Sequence, residues 1–130
     1  MNPILFIALA VIAYFSVAEI RAQTANYPDK PIKMMVGFSA GGGTDVIARI
    51  VAQKMSEGLG QSVVVENRPG ASGMIAAEAV TKSAPDGYTL MMGSQTTLAV
   101  APSLYRKFSV DPAKDFAGVT LTGTSPLVLV

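Results

Sequence analysis

The chain is organised around residues 37–45, which read Gly37-Phe38-Ser39-Ala40-Gly41-Gly42-Gly43-Thr44-Asp45. An apolar run at 32–36 precedes them and an amphipathic run at 46–59 follows, so this order predicts a strand, a glycine-rich loop and a helix. Adjacent glycines let the backbone approach a ligand without a Cβ in the way. A helix that begins near Thr44 would direct unpaired amide groups and the positive end of its dipole to the same place. The loop therefore predicts an anion site made mostly of backbone.

The same order of strand, loop and helix occurs again after residue 60. Strands are predicted at 62–66 and 88–92 from their β-branched and apolar residues, and helices at 73–84 and 98–101. Units this regular predict an α/β fold with a parallel sheet and right-handed crossovers. Each loop then leaves the carboxyl end of a strand, which is where open α/β sheets bind ligands.

Individual residues predict where these helices begin and end and which sides they bury. An apolar stripe with helical spacing runs along the first helix, at Ala48, Val51, Ala52, Met55 and Leu59. Gly60 is expected to end this helix in a left-handed conformation. Ser72 is expected to cap the second helix, whose apolar side would be formed by Ile75, Ala79 and Val80.

The pattern is weaker after residue 101. A turn or a single helical turn is predicted at 111–115, where aspartate and proline occur together. Two apolar runs, at 116–121 and 127–130, are predicted to be strands.

Composition excludes several classes of function. The 130 residues carry a formal net charge of +1, which argues against nucleic-acid binding, because that function requires a basic surface. The absence of cysteine excludes thiol chemistry and cysteine metal sites in this chain. The absence of histidine removes the commonest metal ligand and the commonest general base. Neither a metal site nor a catalytic residue is therefore predicted.

The amino-terminal residues predict export. Residues 4–18 are apolar but shorter than the roughly 20 residues that span a bilayer, which favours the apolar part of a secretory signal. Small residues follow at a spacing that suits cleavage, so a signal peptide is predicted at 1–22. No lysine or arginine precedes the apolar run, and the alternative is an uncleaved, membrane-tethered amino terminus.

Known glycine motifs do not fit the loop fully. Residues 37–44 match the phosphate-binding pattern G-x-x-x-x-G-K-[ST] except that Gly43 stands in place of the lysine. The dinucleotide pattern G-x-G-x-x-G fails because Val46 occupies its last position. The loop is therefore expected to bind a smaller anion, such as a carboxylate.

Residues 37–41 also spell G-x-S-x-G, the pattern that carries the nucleophile of many hydrolases. A serine hydrolase needs a base to take the serine proton, and no histidine is present. A secreted serine hydrolase that uses Ser39 is kept as an alternative hypothesis.

Other polar residues admit structural interpretations. Asp45 and Arg49 are four positions apart and are expected to pair on a solvated helix face. Four uncharged donors follow the third strand, at Ser94, Gln95, Thr96 and Thr97, and they suit either a small polar ligand or a turn and helix cap. Methionines in the strands are expected to fill the core.

Several blocks of sequence together resemble one known family. These blocks are Tyr27-Pro28-Asp29-Lys30-Pro31-Ile32, Val36-Gly37-Phe38 with Ala40-Gly41-Gly42-Gly43-Thr44-Asp45, Val63-Val64-Val65-Glu66-Asn67-Arg68-Pro69-Gly70-Ala71, Pro85-Asp86-Gly87-Tyr88-Thr89-Leu90, and Asp111-Pro112 with Asp115-Phe116. In them the chain resembles the Bug-type proteins, which are the extracytoplasmic solute receptors of tripartite tricarboxylate transporters. The likeness extends over nearly everything after the predicted signal peptide.

The resemblance implies a periplasmic-binding-protein-like fold of type II, with an α/β doubly wound sheet and a ligand in the cleft between two domains. It implies a monomeric periplasmic receptor rather than an enzyme, with no cofactor, which captures a small organic carboxylate and delivers it to the membrane permease subunits. Some members of the family act in sensing instead. The ligand-binding residues it implies are Phe38, Ser39, Ala40, Gly41, Gly42 and Gly43 and, more loosely, Ser94, Gln95, Thr96 and Thr97.

Two features depart from the family pattern. The chain is less than half of the family's usual extent, so residues 23–130 are expected to be the amino-terminal part of the first domain, with the second domain missing. Ser39 stands where many relatives carry proline, which adds a hydroxyl group to the loop and makes its backbone less rigid.

Overall fold

The computed structural model describes residues 27–124 of the chain. The predicted signal peptide at 1–22 and the predicted strand at 127–130 lie outside these residues. Strands β1 (Ile32–Val36), β2 (Val63–Asn67) and β3 (Thr89–Met92) alternate with helices α1 (Gly43–Leu59) and α2 (Met74–Thr81). These five elements confirm the predicted order of strands and helices.

The three strands form a parallel sheet in the order β2-β1-β3. Val36, the last residue of β1, is in register with Asn67 at the end of β2 and with Met92 at the end of β3. All three strands therefore end at the same level, and the loops that follow them leave from one edge of the sheet. The predicted parallel α/β architecture is confirmed.

Helix α1 covers one face of the sheet and forms the main core with it. Ala48 and Ala52 are buried against a cluster that includes Met34, Val36 and Met92. Their small side chains let the helix lie close to the strands. The predicted apolar stripe is confirmed at Ala48, Val51, Ala52 and Met55, whereas Leu59, its last predicted member, is exposed. Gly60 ends the helix with φ of 68° and donates its amide hydrogen to Ser56 (3.1 Å), as predicted for a left-handed cap.

The predicted details of the second helix are wrong. Helix α2 begins at Met74 and ends at Thr81, and no side chain caps it, so Ser72 does not have the predicted capping role. Its buried residues are Ala76 and Ala77, whereas Ile75 is 51% exposed. The segment is rich in alanine, so its apolar periodicity was too weak to indicate which side would face the sheet.

The part of the chain after β3 also differs from prediction. A π-helical segment, Thr96–Val100, continues into α3 (Ala101–Leu104), and α4 (Pro112–Asp115) confirms the predicted turn, with the Asp111 carboxylate accepting from the Ala113 amide (3.1 Å). The strand predicted at 116–121 is wrong, because within residues 27–124 this segment pairs with no other strand. An apolar, β-branched run forms a strand only where a neighbouring strand accepts its hydrogen bonds.

Aromatic and charged side chains attach residues 27–31, which precede β1, to the edge of the sheet opposite the three loops. The rings of Tyr27 and Tyr88 meet edge to face with centroids 4.9 Å apart. The ammonium group of Lys30 lies 4.2 Å from the centre of the Tyr88 ring and 3.4 Å from the Asp86 carboxylate. Tyr88 immediately precedes β3, so this cluster lies at the amino ends of the strands, away from the three loops.

Candidate functional site

The loops that follow the three strands are packed against one another. We call residues 37–42 the first loop, residues 68–73 the second loop and residues 93–94 the third loop. A methyl group placed on Gly37 would lie 2.6 Å from the Cα atom of Gly73, and one placed on Gly73 would lie 2.4 Å from Oγ1 of Thr97. Contacts this close leave no room for a side chain at either glycine. The first and second loops and the start of the helical segment after the third loop therefore form one continuous surface.

The start of α1, directly after the first loop, presents open hydrogen-bond donors. Residues 39–43 are exposed, and Gly42 precedes α1 without any side chain capping the helix. The amide groups of Gly43 and Thr44 make no hydrogen bond to any of residues 27–124. They coincide with the positive end of the helix dipole, so the geometry suits an anion.

Asp45, the acidic residue in the first turn of α1, is turned away from these donors. It is 2% exposed, and its Oδ2 atom accepts hydrogen bonds from the Gly41 amide (2.8 Å) and from Nε of Arg49 (2.9 Å). Its Oδ1 atom accepts from Nδ2 of Asn67 (2.9 Å). The predicted pairing with Arg49 is confirmed, but the predicted solvated position is wrong for the carboxylate.

The partners of Asp45 stabilise its ionised form. Hydrogen bonds from Arg49, from the Gly41 amide and from Asn67 hold the pKa of the Asp45 carboxyl group far below its usual range. The same pairing raises the pKa of Arg49. The negative charge of the ionised Asp45 carboxylate is thus balanced by its ion pair with Arg49.

Asn67 joins the first loop to the end of β2 and was not among the predicted site residues. Its Nδ2 atom donates both to Asp45 and to the carbonyl oxygen of Phe38 (3.0 Å), while its Oδ1 atom accepts from Nη2 of Arg49 (3.2 Å). The available signal was its position: Asn67 follows a β-branched strand and so lies at the sheet edge from which the loops leave.

The residues after β3 are arranged differently from the predicted open loop. Helical structure begins at Gln95, so only Gly93 and Ser94 precede it. Gln95 and Thr96 are exposed, whereas Thr97 is fully buried. Oγ1 of Thr97 donates to the Ser72 carbonyl oxygen (2.9 Å), and its amide donates to Oγ of Ser94 (3.2 Å). The Thr97 side chain therefore holds the second loop and does not face solvent.

A cavity of about 290 Å³ lies elsewhere, between α2 and the segment after α3. It is lined by Met74, Glu78, Leu104, Tyr105, Arg106, Lys107 and Phe108, and none of the predicted site residues is among them. Within residues 27–124 no helix has the length and apolar character needed to cross a membrane. The described part of the chain also lacks a cluster of acidic or histidine side chains that could hold a metal ion.

Comparison with known proteins gives the family. The model of the family described as tripartite tricarboxylate transporter family receptor matches residues 47–130. Protein BugT of Bordetella pertussis is 46% identical over 127 residues, which are 97% of this chain and 37% of that protein. The chain spans about a third of the length of the curated relatives that it matches.

Solved structures show the same fold. The periplasmic binding protein BugD is 40% identical with a TM-score of 0.63, over 69% of this chain and 30% of that one. MatC from Rhodopseudomonas palustris with bound malate is 40% identical with a TM-score of 0.67, over 69% and 31% of the two chains. An R. palustris protein with adipate is 42% identical with a TM-score of 0.65, over 67% and 29%. The predicted periplasmic-binding-protein-like fold is confirmed.

The matched family consists of receptors and not of enzymes, which confirms the prediction of a receptor rather than an enzyme. Ser39 lies exposed in the first loop, in a chain without histidine. The match extends over more than half of the chain, and relatives and structural neighbours agree with it. This chain belongs to the family of tripartite tricarboxylate transporter receptors, in its Bug-type branch.

Proposed function

We propose that the protein is an extracytoplasmic solute-binding receptor, which captures a small carboxylate-bearing organic anion and delivers it to the membrane permease subunits of a tripartite tricarboxylate-type transporter. The observation that carries this proposal is the open start of α1. The amide groups of Gly43 and Thr44 face an exposed loop at the carboxyl edge of the sheet, without a partner among residues 27–124. A carboxylate group matches two neighbouring amide donors in size and in hydrogen-bonding capacity.

The charge around these donors favours a carboxylate over a polyphosphate. Gly43 occupies the position at which a phosphate-binding loop carries its lysine, so no ammonium group is available there for a highly charged ligand. Asp45 is already paired with Arg49, which balances its negative charge. Neutral backbone donors at a helix start are sufficient for one carboxylate group.

The structural neighbours support the same class of ligand. MatC holds malate, and the second R. palustris protein holds adipate. Both molecules carry two carboxylate groups on an aliphatic chain, although they differ in chain length. We therefore expect this protein to bind an aliphatic acid, with one carboxylate at the first loop.

Isothermal titration calorimetry tests the ligand class. The protein is purified in the form in which its host cell produces it. Malate, adipate and citrate are titrated separately, and the dimethyl ester of malate serves as an uncharged control. We expect heat from at least one of the acids and none from the ester. The absence of binding for every acid, or equal binding of the ester, would contradict carboxylate capture.

The variant Gly43→Pro tests the open start of α1 directly. Gly43 is the first residue of α1, a position that accepts proline, and Gly42 before it is extended (ψ of 166°) as a residue that precedes proline must be. The substitution removes one amide donor and should weaken binding roughly tenfold or more. Gly43→Ala keeps the donor and meets no atom within 4 Å, so it is the matched control. Equal affinity of the two variants would exclude Gly43 from the site.

Delivery and export need separate experiments. Uptake of the radiolabelled ligand by the host, with and without the gene for this chain, distinguishes a transport receptor from a sensing one. Loss of uptake supports transport, and unchanged uptake with an altered transcriptional response supports sensing. Mass spectrometry of the mature amino terminus tests cleavage after residue 22, and a mature chain that begins at Met1 would contradict it.

A further inference from the structure

Thr97 is the fully buried polar residue that connects the second loop with the helical segment after β3. Its hydroxyl group donates to the carbonyl oxygen of Ser72 at 2.9 Å. Because this uses its only proton, the contact of 3.1 Å between the hydroxyl groups of Ser94 and Thr97 must take its proton from Ser94. The Thr97 hydroxyl group therefore donates to Ser72 and accepts from Ser94, so both of these hydrogen bonds are made within the protein.

The second loop has a backbone that needs such support. Gly70, Ala71, Ser72 and Gly73 all have positive φ, with values of 136°, 47°, 56° and 86°. Two of these residues, Ala71 and Ser72, carry a Cβ atom, which makes the left-handed region unfavourable for them. A strained conformation of this kind persists only where surrounding contacts hold it. The bond from Thr97 to Ser72 acts at the centre of the strained run.

Steric contacts extend this support to the first loop. Gly73 packs against the Thr97 side chain so closely that a methyl group would lie 2.4 Å from its Oγ1 atom. Gly37 in turn packs against the backbone of Gly73, where a methyl group would lie 2.6 Å from Cα. A displacement of the second loop would therefore change the position of Gly37, which begins the first loop.

We propose that Thr97 is a positioning residue of the anion site: its hydroxyl group holds the second loop in the conformation that supports the first loop. This inference rests on the proposed function, since it assigns the amide groups of Gly43 and Thr44, directly after the first loop, to the ligand. Thr97 then acts through Ser72 and Gly73 and does not contact the ligand, unlike the exposed Gln95 and Thr96, which remain available to it.

Two substitutions at this position separate the hydroxyl group from the shape of the side chain. Thr97→Val keeps the branched shape and removes the hydrogen bond, whereas Thr97→Ser keeps the hydroxyl group and removes the methyl group. Amide hydrogen exchange is measured at Gly73, whose amide donates to the Gly70 carbonyl (2.9 Å) inside the strained turn. The amide of Gly60 at the far end of α1, which donates to Ser56, is the internal control.

We expect exchange at Gly73 to be roughly tenfold faster in Thr97→Val and close to the unaltered rate in Thr97→Ser, with Gly60 unchanged in both. Affinity for malate and adipate should fall about tenfold in Thr97→Val and be largely restored in Thr97→Ser. Unchanged exchange at Gly73 in Thr97→Val would overturn the inference, as would unchanged affinity. Failure of the unaltered protein to bind either acid would count against the proposed ligand, while the exchange measurement would still decide the role of Thr97.

Discussion

Asp45 and Asn67 lie 22 positions apart in the sequence and are joined by a hydrogen bond of 2.9 Å from Nδ2 to Oδ1. The bond connects the first turn of α1 with the last residue of β2. Because Asn67 also donates to the Phe38 carbonyl oxygen, one amide group holds both the helix and the first loop. The conformation of the first loop thus depends on a residue that is far from it in the sequence.

Replacement of Asn67 by alanine should loosen this connection. The substitution removes three hydrogen bonds and leaves the Phe38 carbonyl group without this donor, so the free energy of unfolding should fall by about 1–2 kcal/mol. Urea denaturation measures the change. Gln53→Ala is the matched control, because the Gln53 side chain donates to Glu57 on the exposed side of α1, and it should cost less than about 0.5 kcal/mol. Equal losses for both variants would show that Asn67 has no special role.

Stability should decrease in acid partly because of Asp45. The pKa of this carboxyl group is held below its ordinary value of 3.8 by hydrogen bonds from Arg49, Gly41 and Asn67. The unfolded chain therefore binds a proton at a higher pH than the folded protein does, and stability falls as the pH falls below about 4. Above about pH 5 the carboxyl group is ionised in both states and its contribution is complete.

The variant Asp45→Asn isolates this effect. At pH 7 it should melt several degrees below the unaltered protein, because asparagine cannot accept all three hydrogen bonds as a carboxylate does. The difference should shrink as the pH is lowered below 4, since the unaltered carboxylate then loses its advantage. Differential scanning calorimetry from pH 3 to pH 7 measures it, with Glu57→Gln on the exposed side of α1 as control. A difference that grows in acid would contradict the assignment.

Gly37 should not tolerate alanine. The new methyl group would lie 2.6 Å from Cα of Gly73, and backbone atoms cannot move aside as a side chain can. We expect a loss of about 1–3 kcal/mol in the free energy of unfolding. Gly43→Ala in the same part of the sequence should be neutral or slightly stabilising, since nothing lies within 4 Å of the added atom and alanine favours a helix. Thermal denaturation of the two variants compares them, and a stable Gly37→Ala protein would argue against close packing of the loops.

We expect the Ser39 hydroxyl group to have no catalytic role. With no histidine in the chain and a family of receptors, we expect no hydrolysis of a p-nitrophenyl ester above the rate of buffer. Ser39→Ala should leave that rate unchanged. Turnover that disappears in Ser39→Ala, and only there, would revive the hydrolase hypothesis.

The sequence predicted the regular elements well because their signals are local. Three adjacent valines in β2 and the spacing of Ala48 and Ala52 in α1 each indicate one kind of backbone. The order of these elements then restricted the topology to a parallel sheet, with the loops at one edge. The open amide groups at Gly43 and Thr44 agree with the unpaired amide groups that were predicted for a helix beginning near Thr44.

The contacts between loops could not be predicted in this way. No local pattern indicates that Asn67 will lie beside Phe38, or that Thr97 will reach the carbonyl group of Ser72, because these contacts depend on how the strands align. The burial of Asp45 was missed for the same reason: spacing predicted its pairing with Arg49, but the end of β2 covers it. The strand predicted at 116–121 was wrong for a related reason. Its residues favour a strand locally, but within residues 27–124 no neighbouring strand pairs with them.

The cluster of Tyr27, Lys30 and Tyr88 has a practical consequence for binding measurements. It fixes the beginning of the described chain at the amino ends of the strands, whereas the three loops with the proposed anion site leave from the carboxyl ends. A biotin group introduced just ahead of Tyr27 would therefore attach the protein to a sensor chip by the far edge of the sheet. The loops would then face the flowing solution, so that small acids could reach them without hindrance from the chip surface.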